Sequence, residues 1–300
     1  VDGPDLSLKE GTVTALTGPN GSGKTTTAWC LGLHDLDFTG TVTIDGRPSS
    51  RMSPRDIRLA HRTTIALQPQ DLLLEDSRTP IATLRHAAWA LGLPRRQRAA
   101  RIADALGAAR LTTLSRTRTG LLSGGERMRV ALARTLLMEH PRLVILDEPT
   151  NDVDPVRRRL LWDQIRLLAE AGAAVLLVTH NVREAERAVD RLTVLDHGHV
   201  IAEGTPAALV AGHGSSFVLE ISRAPGQRIE PPAGMSLTQH DAVRASVAVD
   251  SHCTTQAVEW AAHALKDGVI ERYELAPISL EDVYVDLTGS TGEEGSRHAA

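Results

Sequence analysis

The chain has 300 residues, 42% of them hydrophobic and 23% charged, with a formal net charge of −4, which suits one large soluble domain plus a smaller one whose cores need no disulfide or metal staple. Two cysteines without motif spacing, Cys30 and Cys253, argue against a secreted scaffold or a zinc site, and the longest apolar run, Ala173 to Val178, falls far short of the ~20 residues that span a bilayer. The charge is uneven: residues 85–134 hold 11 basic and 2 acidic groups while residues 216–300 hold 6 and 13, so the basic stripe suits a solvated helix face, an anionic membrane surface or a nucleic acid.

In chain order, Thr12 to Thr17 reads as a buried strand, followed by a Gly-rich run and a helix to about Leu33. Thr41 to Ile44 is a short strand ending in the turn signal Asp45-Gly46, and Thr64 to Leu67 is another. Helical periodicity covers residues 81–91 and 95–111, with Pro94 at the junction, and a third helix runs from Gly124 to Glu139. Leu143 to Leu146 and Ala174 to Val178 are unbroken apolar strands around a helix at 155–171, the pattern of a parallel sheet buried on both faces. Leu192 to Asp196 and His199 to Ala202 pair across His197-Gly198. Beyond Phe217 come strands at Phe217 to Ile221, Val243 to Val249 and Val269 to Leu275, and an amphipathic helix at Thr254 to Lys266. The expected layout is an α/β domain at 1–215 with a helical subdomain at about 71–140, a small α+β domain at 216–289, and a disordered tail at 290–300.

Gly18-Pro19-Asn20-Gly21-Ser22-Gly23-Lys24-Thr25, continuing to Thr26, fits a P-loop lying between a strand and a helix. Its glycines let backbone N–H groups face phosphates at a helix N-terminus, Lys24 would reach the β- and γ-phosphates, and Thr25 would ligate Mg²⁺. Leu143 to Leu146 runs into Asp147-Glu148. Asp147 is placed to hold Mg²⁺ and Glu148 to act as general base on the attacking water. Ser123 and Glu126 have the spacing of a capping box, yet the intervening Gly124-Gly125 weakens a first helical turn and makes sense where backbone must approach a ligand.

Leu122-Ser123-Gly124-Gly125-Glu126 resembles the signature of the ABC ATPases, and the resemblance extends in the family's order over residues 6–212. It implies a P-loop NTPase fold, ATP and Mg²⁺ as ligands, and ATP hydrolysis. Gln70 resembles the glutamine that senses Mg²⁺ and the membrane subunit, with Gln68 as the competing candidate. Asn151-Asp152-Val153-Asp154 is similar to the family's D-loop, with Asp154 at its aspartate, and His180 resembles the switch histidine that contacts the γ-phosphate. In the family, Ser123, Gly124 and Gly125 would bind ATP held by the opposite subunit. The implied partners are therefore a second nucleotide-binding domain, most simply another copy, and a separate membrane-spanning permease that holds the chain at the cytoplasmic face of a bacterial membrane.

Pro277 to Gly289, through Ser279-Leu280-Glu281-Asp282-Val283-Tyr284, resembles the ending of bacterial multidrug and antibiotic exporter ATPases. That favours export over import. A ribosome- or DNA-directed cassette usually carries two cassettes or long coiled coils, which this sequence lacks, so no nucleic-acid partner is expected. The family also stacks adenine on an aromatic upstream of the P-loop. Only seventeen residues precede Gly18, none aromatic, and the first aromatic, Trp29, lies inside the P-loop helix. The expectation is a start upstream of Val1, and weak, poorly discriminating nucleotide binding by this 300-residue form.

Overall fold

The computed structural model describes residues 4–72, 74–151, 153, 155–214, 216–223, 229–240 and 243–297, and resolves into two compact units, residues 1–203 and 204–300. In the first unit, β1 (Val13–Thr17) is buried along its whole length and leads into α1 (Lys24–Leu31). A hairpin of β2 (Thr43–Ile44) and β3 (Arg47–Pro48) turns on Asp45 and Gly46, both at positive φ, as an Asp-Gly turn favours.

The helix α2 (Pro54–Thr63) follows, where sequence reading placed no element. Its start was written in local chemistry: the Ser53 hydroxyl accepts from the Asp56 N–H, the Asp56 carboxylate accepts from the Ser53 N–H, and Pro54 opens the first turn. Then come β4 (Ile65–Gln68), α3 (Pro80–Ala90), α4 (Arg95–Ala108) and α5 (Gly124–Thr135). The last stops before Glu139, and His140 takes a left-handed φ of 52°.

The helices α3 to α5 bury Leu84, Ala88, Ile102, Leu106, Val130, Ala133 and Leu137 in a cluster of their own. It is separate from the sheet core around Leu16, Leu33, Ile145, Leu176 and Leu195. Deleting one of the buried leucines of this helical cluster would cost about 2–5 kcal/mol.

The sheet is completed by β5 (Leu143–Asp147), α6 (Pro155–Glu170), β6 (Ala174–Val178), α7 (Val182–Ala188), β7 (Arg191–Asp196) and β8 (His199–Gly204). The strand order is β4-β5-β6-β1-β7-β8, with β1 parallel to both its neighbours, Val13 opposite Val175 and Thr14 opposite Arg191. The half-buried carboxylate of Asp190 fixes the start of β1. It accepts from the Val13 N–H at 2.7 Å and from Arg166 at 2.8 and 3.0 Å.

The second unit begins at Gly204, earlier than the boundary expected after residue 215. The reason is α8 (Pro206–Ala211), whose Val210 packs with Val218, Ile278, Val283 and Leu287. An antiparallel sheet follows, formed by β9 (Phe217–Ser222), β10 (Ser236–His240), β11 (Arg244–Val249) and, after α9 (Thr254–Lys266), β12 (Arg272–Pro277), in the order β10-β11-β9-β12.

Alternation along β9 assigns its faces: Leu219 and Ile221 meet Ala257 and Ala261 of α9, while Val218 meets α10 (Leu280–Arg297). Val269 belongs to the end of α9 rather than to a strand. With Gly268 at φ 72°, the Val269 N–H reaches back to the Ala264 carbonyl and the Gly268 N–H to that of Leu265, a Schellman closure. The last helix runs on to Arg297, through most of the stretch expected to be a disordered tail, from a start capped reciprocally by Ser279 and Asp282.

Candidate active site

Parallel strands in register end at one edge, and that edge is where α/β sheets assemble their sites. Here β1 delivers the Gly-rich loop, β5 delivers Asp147 and Glu148, and the pairing of Asp147 with Val178 puts His180, two residues past β6, beside Glu148. The loop is tightly specified at its first residue. A Cβ on Gly18 would overlap the Leu195 carbonyl and come within 2.7 Å of the Ser22 hydroxyl. Gly21 and Gly23 sit at φ 83° and 98°, a region that costs other residues about 1–2 kcal/mol. Ser22 is buried and ties the loop to the β7–β8 turn, its carbonyl accepting from the Gly198 N–H at 3.0 Å.

Lys24 folds back over this loop, its Nζ donating to the carbonyls of Gly18 at 2.9 Å and Pro19 at 2.8 Å. Burial lowers its pKa, and the nearby Glu148 and Asp147 carboxylates push the other way. The Thr25 hydroxyl donates to Asp147 Oδ2 at 3.2 Å. Asp147 is 1% exposed; burial raises its pKa, opposed by the Thr25 hydrogen bond, and Glu148 adds to the rise. Its Oδ1 is buried and has no hydrogen-bond partner.

Glu148 is a non-glycine residue at φ 49°, held there by its N–H donating to the Val178 carbonyl at 2.9 Å. Such strain persists where the surroundings over-determine it, often at functional sites. Its Oε1 accepts from the His180 N–H at 3.0 Å and from Nδ1 at 2.7 Å, so Nδ1 carries the imidazole hydrogen. Its Oε2 is buried and unpartnered.

One cavity of about 450 Å³ unites these groups, lined by Asn20, Gly21, Gly23, Lys24, Thr25, Thr26, Gln70, Asp147, Glu148 and His180, together with Asn151 and Val178. Gln70 stands in its wall. Gln68, the competing candidate, is buried on β4 with its amide on Met128 Sδ. Gly18, Pro19 and Ser22 shape the loop from behind and do not line the cavity. Ser123, Gly124 and Gly125 start α5 away from it, Ser123 and Gly124 exposed, with Ser123 and Glu126 capping reciprocally. Asp154 lies outside the described residues.

Asn151 was not picked out as a site residue. It enters through the tight turn in which its N–H meets the Glu148 carbonyl at 3.3 Å, a geometry with no residue-type signature. The braces Leu195 and Gly198 were invisible for the same reason: only their backbone acts.

The donor set suits a divalent cation shared with phosphate oxygens. Hard cations take oxygen ligands, and Mg²⁺ sits among one or two protein oxygens, water and substrate phosphates. The Thr25 hydroxyl and the unsatisfied Asp147 Oδ1 match that demand. Among the described residues no group of three or more His, Cys, Asp or Glu side chains could cage a metal alone.

Comparison with known proteins finds similar chains. The family model described as ABC transporter matches residues 1–151. The chain is 35% identical over 295 residues to a protein named Nod factor export ATP-binding protein I from a Rhizobium species, spanning 98% of this chain and 93% of the relative. It is 36% identical over 295 residues to its namesake from Mesorhizobium japonicum, spanning 98% and 84%. Among solved structures it is similar to an ATP-binding subunit of an ABC transporter, with TM-score 0.59 and 28% identity over 69% of this chain and 83% of that one. It is also similar to an ATP-binding cassette solved as a dimer in a post-hydrolysis state with ADP and Pi, with TM-score 0.60 and 27% identity over 67% and 88%.

Proposed function

The chain belongs to the ABC transporter family, and we propose that it is the ATP-hydrolysing subunit that powers export of a drug, antibiotic, lipid or similar substrate through a separate membrane-spanning permease. The observation that carries the catalytic reading is Glu148 in the lining of the cavity beside Lys24, Thr25 and Asp147, with His180 bonded to Oε1 and Oε2 left without a hydrogen-bond partner. A carboxylate so placed can take the proton of a water attacking the γ-phosphorus. Lys24 would exchange its loop carbonyls for phosphate oxygens, and the N–H groups opening α1 would bind the remaining phosphate charge. Thr25 and Asp147 would hold Mg²⁺, with Gln70 beside them; bound there, the ion offsets charge on the transferred phosphoryl group.

Export is supported by the relatives named for it, aligned over nearly the whole chain including the second unit, and by the Ser279 to Tyr284 ending. No helix among the described residues is long and apolar enough to cross a membrane, so in this reading the span comes from the permease, which holds the subunit at the cytoplasmic face of a bacterial membrane. Ser123 and Gly124 are exposed at a helix start away from the chain's own cavity. We place them, with Gly125, over the ATP of a second copy in a head-to-tail homodimer.

Glu148→Gln tests the reading. ATP turnover should fall about a hundredfold or more, the usual scale for a lost general base, while ATP binding persists and ATP drives a dimer visible by size exclusion with light scattering. Undiminished turnover would remove Glu148 from the role, and a variant that stays monomeric with ATP would refute the sandwich.

A further inference from the structure

The helices after β4 present a surface of one sign. Between Asp76 and Asp104 the sequence holds six arginines and no acidic residue. Arg78 and Arg101 have carboxylate partners in Glu75 and Glu139, whereas Arg85, Arg95, Arg96 and Arg98 form no ion pair among the described residues. Arg62 of α2 joins them. Its Nε donates to the Leu91 carbonyl at 3.3 Å, and Arg98 Nε donates to the Leu93 carbonyl at 2.7 Å. Two guanidinium groups are thereby pinned at the α3–α4 turn, next to the exposed Arg95 and Arg96. Arg95, Arg96 and Arg98 occupy the first turn of α4, where positive charge opposes the helix dipole and no acid offsets it. They do nothing for that helix's own stability.

Trp89 belongs to the same surface. On α3, Leu84 and Ala88 are buried in the helical core, while Arg85, His86 and Trp89 are exposed, Trp89 to 65%. Arg85 and Trp89, four residues apart, are neighbours on one helix face. A face that needs only solvation interleaves both charge signs and exposes no indole. A single-stranded nucleic acid calls for several aromatics, and Trp89 is the only one between Asp76 and Asp104. A protein helix docks through several apolar anchors, but Leu91 and Leu93 are packed against the helical core, which leaves Trp89 alone. One indole among guanidinium groups without carboxylate partners matches an anionic bilayer surface, where tryptophan sits at headgroup level and arginine meets the lipid anions. We propose that the α3–α4 turn, through Trp89, Arg62, Arg85, Arg95, Arg96 and Arg98, docks directly on an anionic lipid surface. This contact goes beyond the proposed ATP chemistry and does not depend on it, since none of these residues lines the phosphate cavity.

The test mixes the full chain, without nucleotide, with phosphatidylcholine vesicles made with and without phosphatidylserine. Sedimentation should show binding to the phosphatidylserine vesicles at low ionic strength, weakening as salt screens the surface, and little binding to phosphatidylcholine alone. An arginine near an anionic surface strengthens partition about fivefold. The double variant Arg95→Gln, Arg96→Gln should therefore bind about twenty- to thirtyfold more weakly, with its melting temperature and its ATP turnover in solution unchanged. Brominated lipid in the same vesicles reads the seating of the indole. It should quench part of the wild-type tryptophan fluorescence and none of that of Trp89→Phe, which keeps a ring at the position. Equal binding to the two vesicle types, binding unaltered in the double variant, or quenching that persists in Trp89→Phe overturns the proposal. A double variant that loses affinity for a single-stranded oligonucleotide but not for vesicles also overturns it, and gives the surface to nucleic acid. If wild type binds no anionic vesicle, the lipid contact fails while the ATPase reading, judged on Glu148→Gln, stands.

Discussion

Replacing His180 with alanine separates two roles that the site makes possible. Family resemblance implies that His180 contacts the γ-phosphate, whereas the structure has it holding Glu148 Oε1 through Nδ1 at 2.7 Å and through its backbone N–H at 3.0 Å. Alanine retains the backbone donor and removes only the imidazole. A hydrogen bond to a charged group contributes about 1.5–3 kcal/mol. His180 has a side chain 58% exposed, so water can substitute in part and the lower end applies. About 1.5 kcal/mol is roughly tenfold in rate.

If that loss arises because Glu148 swings free, it should vanish where Glu148 is no longer a base. Single-turnover phosphate release at saturating ATP, measured in wild type, His180→Ala, Glu148→Gln and the double variant, makes the comparison. The expected result is a double variant as slow as Glu148→Gln alone. A further tenfold loss in the double variant would refute the positioning role and assign His180 to a direct contact with the phosphate.

Two further outcomes follow from the loop and from its buried carboxyl. Gly18→Ala should abolish tripolyphosphate and ATP binding and lower the melting temperature, because its Cβ meets the Leu195 carbonyl, an overpacking worth about 1–3 kcal/mol. Gly21→Ala, with open space around it, should cost only the ~1 kcal/mol of its left-handed backbone; equal effects in melting scans would refute the steric argument. Burial raises the Asp147 pKa above its ordinary 3.8, so the folded chain holds that proton more tightly than the unfolded one. The nucleotide-free fold therefore loses this group's contribution as pH rises from 3.8 through the raised value, where the carboxylate becomes free for Mg²⁺. Mg²⁺-dependent ATP affinity should weaken as pH falls through that window, by at most about tenfold per pH unit. Asp147→Asn should flatten the slope in fluorescence titrations, and an unchanged slope would assign it elsewhere.

What could be read from the sequence was whatever is local. The P-loop, the Asp147-Glu148 strand end and the Ser123 cap are each encoded within a few consecutive residues, and the structure forms all three. Resemblance already favours Gln70 over Gln68; that Gln68 is buried on β4 with its amide on Met128 Sδ is what spacing does not contain. The helix α2 carried a capping box and an N-terminal proline, but its mostly polar sequence hides the apolar repeat that marks helices; α7 is short and polar in the same way. The boundary at 203/204 rests on Val210 joining Val218 and Val283, a long-range contact that no composition shift announces.

The placement of β1 also bears on how the protein is made. This strand carries the P-loop and lies between β6 and β7, with Val13 opposite Val175 and Thr14 opposite Arg191. Both neighbours are synthesised long after it. At the roughly 5–20 residues per second of translation, the most apolar part of the N-terminal region waits on the order of ten to thirty seconds for either partner. During that interval neither edge of β1 has its native neighbour, and nucleotide cannot stabilise a loop whose supporting strand is not yet seated. A nascent chain stalled after Glu148 would hold the P-loop and the Asp147-Glu148 carboxylates yet lack both flanking strands. Its burden on the chaperones would be set by the order of strands in the sheet rather than by the chemistry of the site.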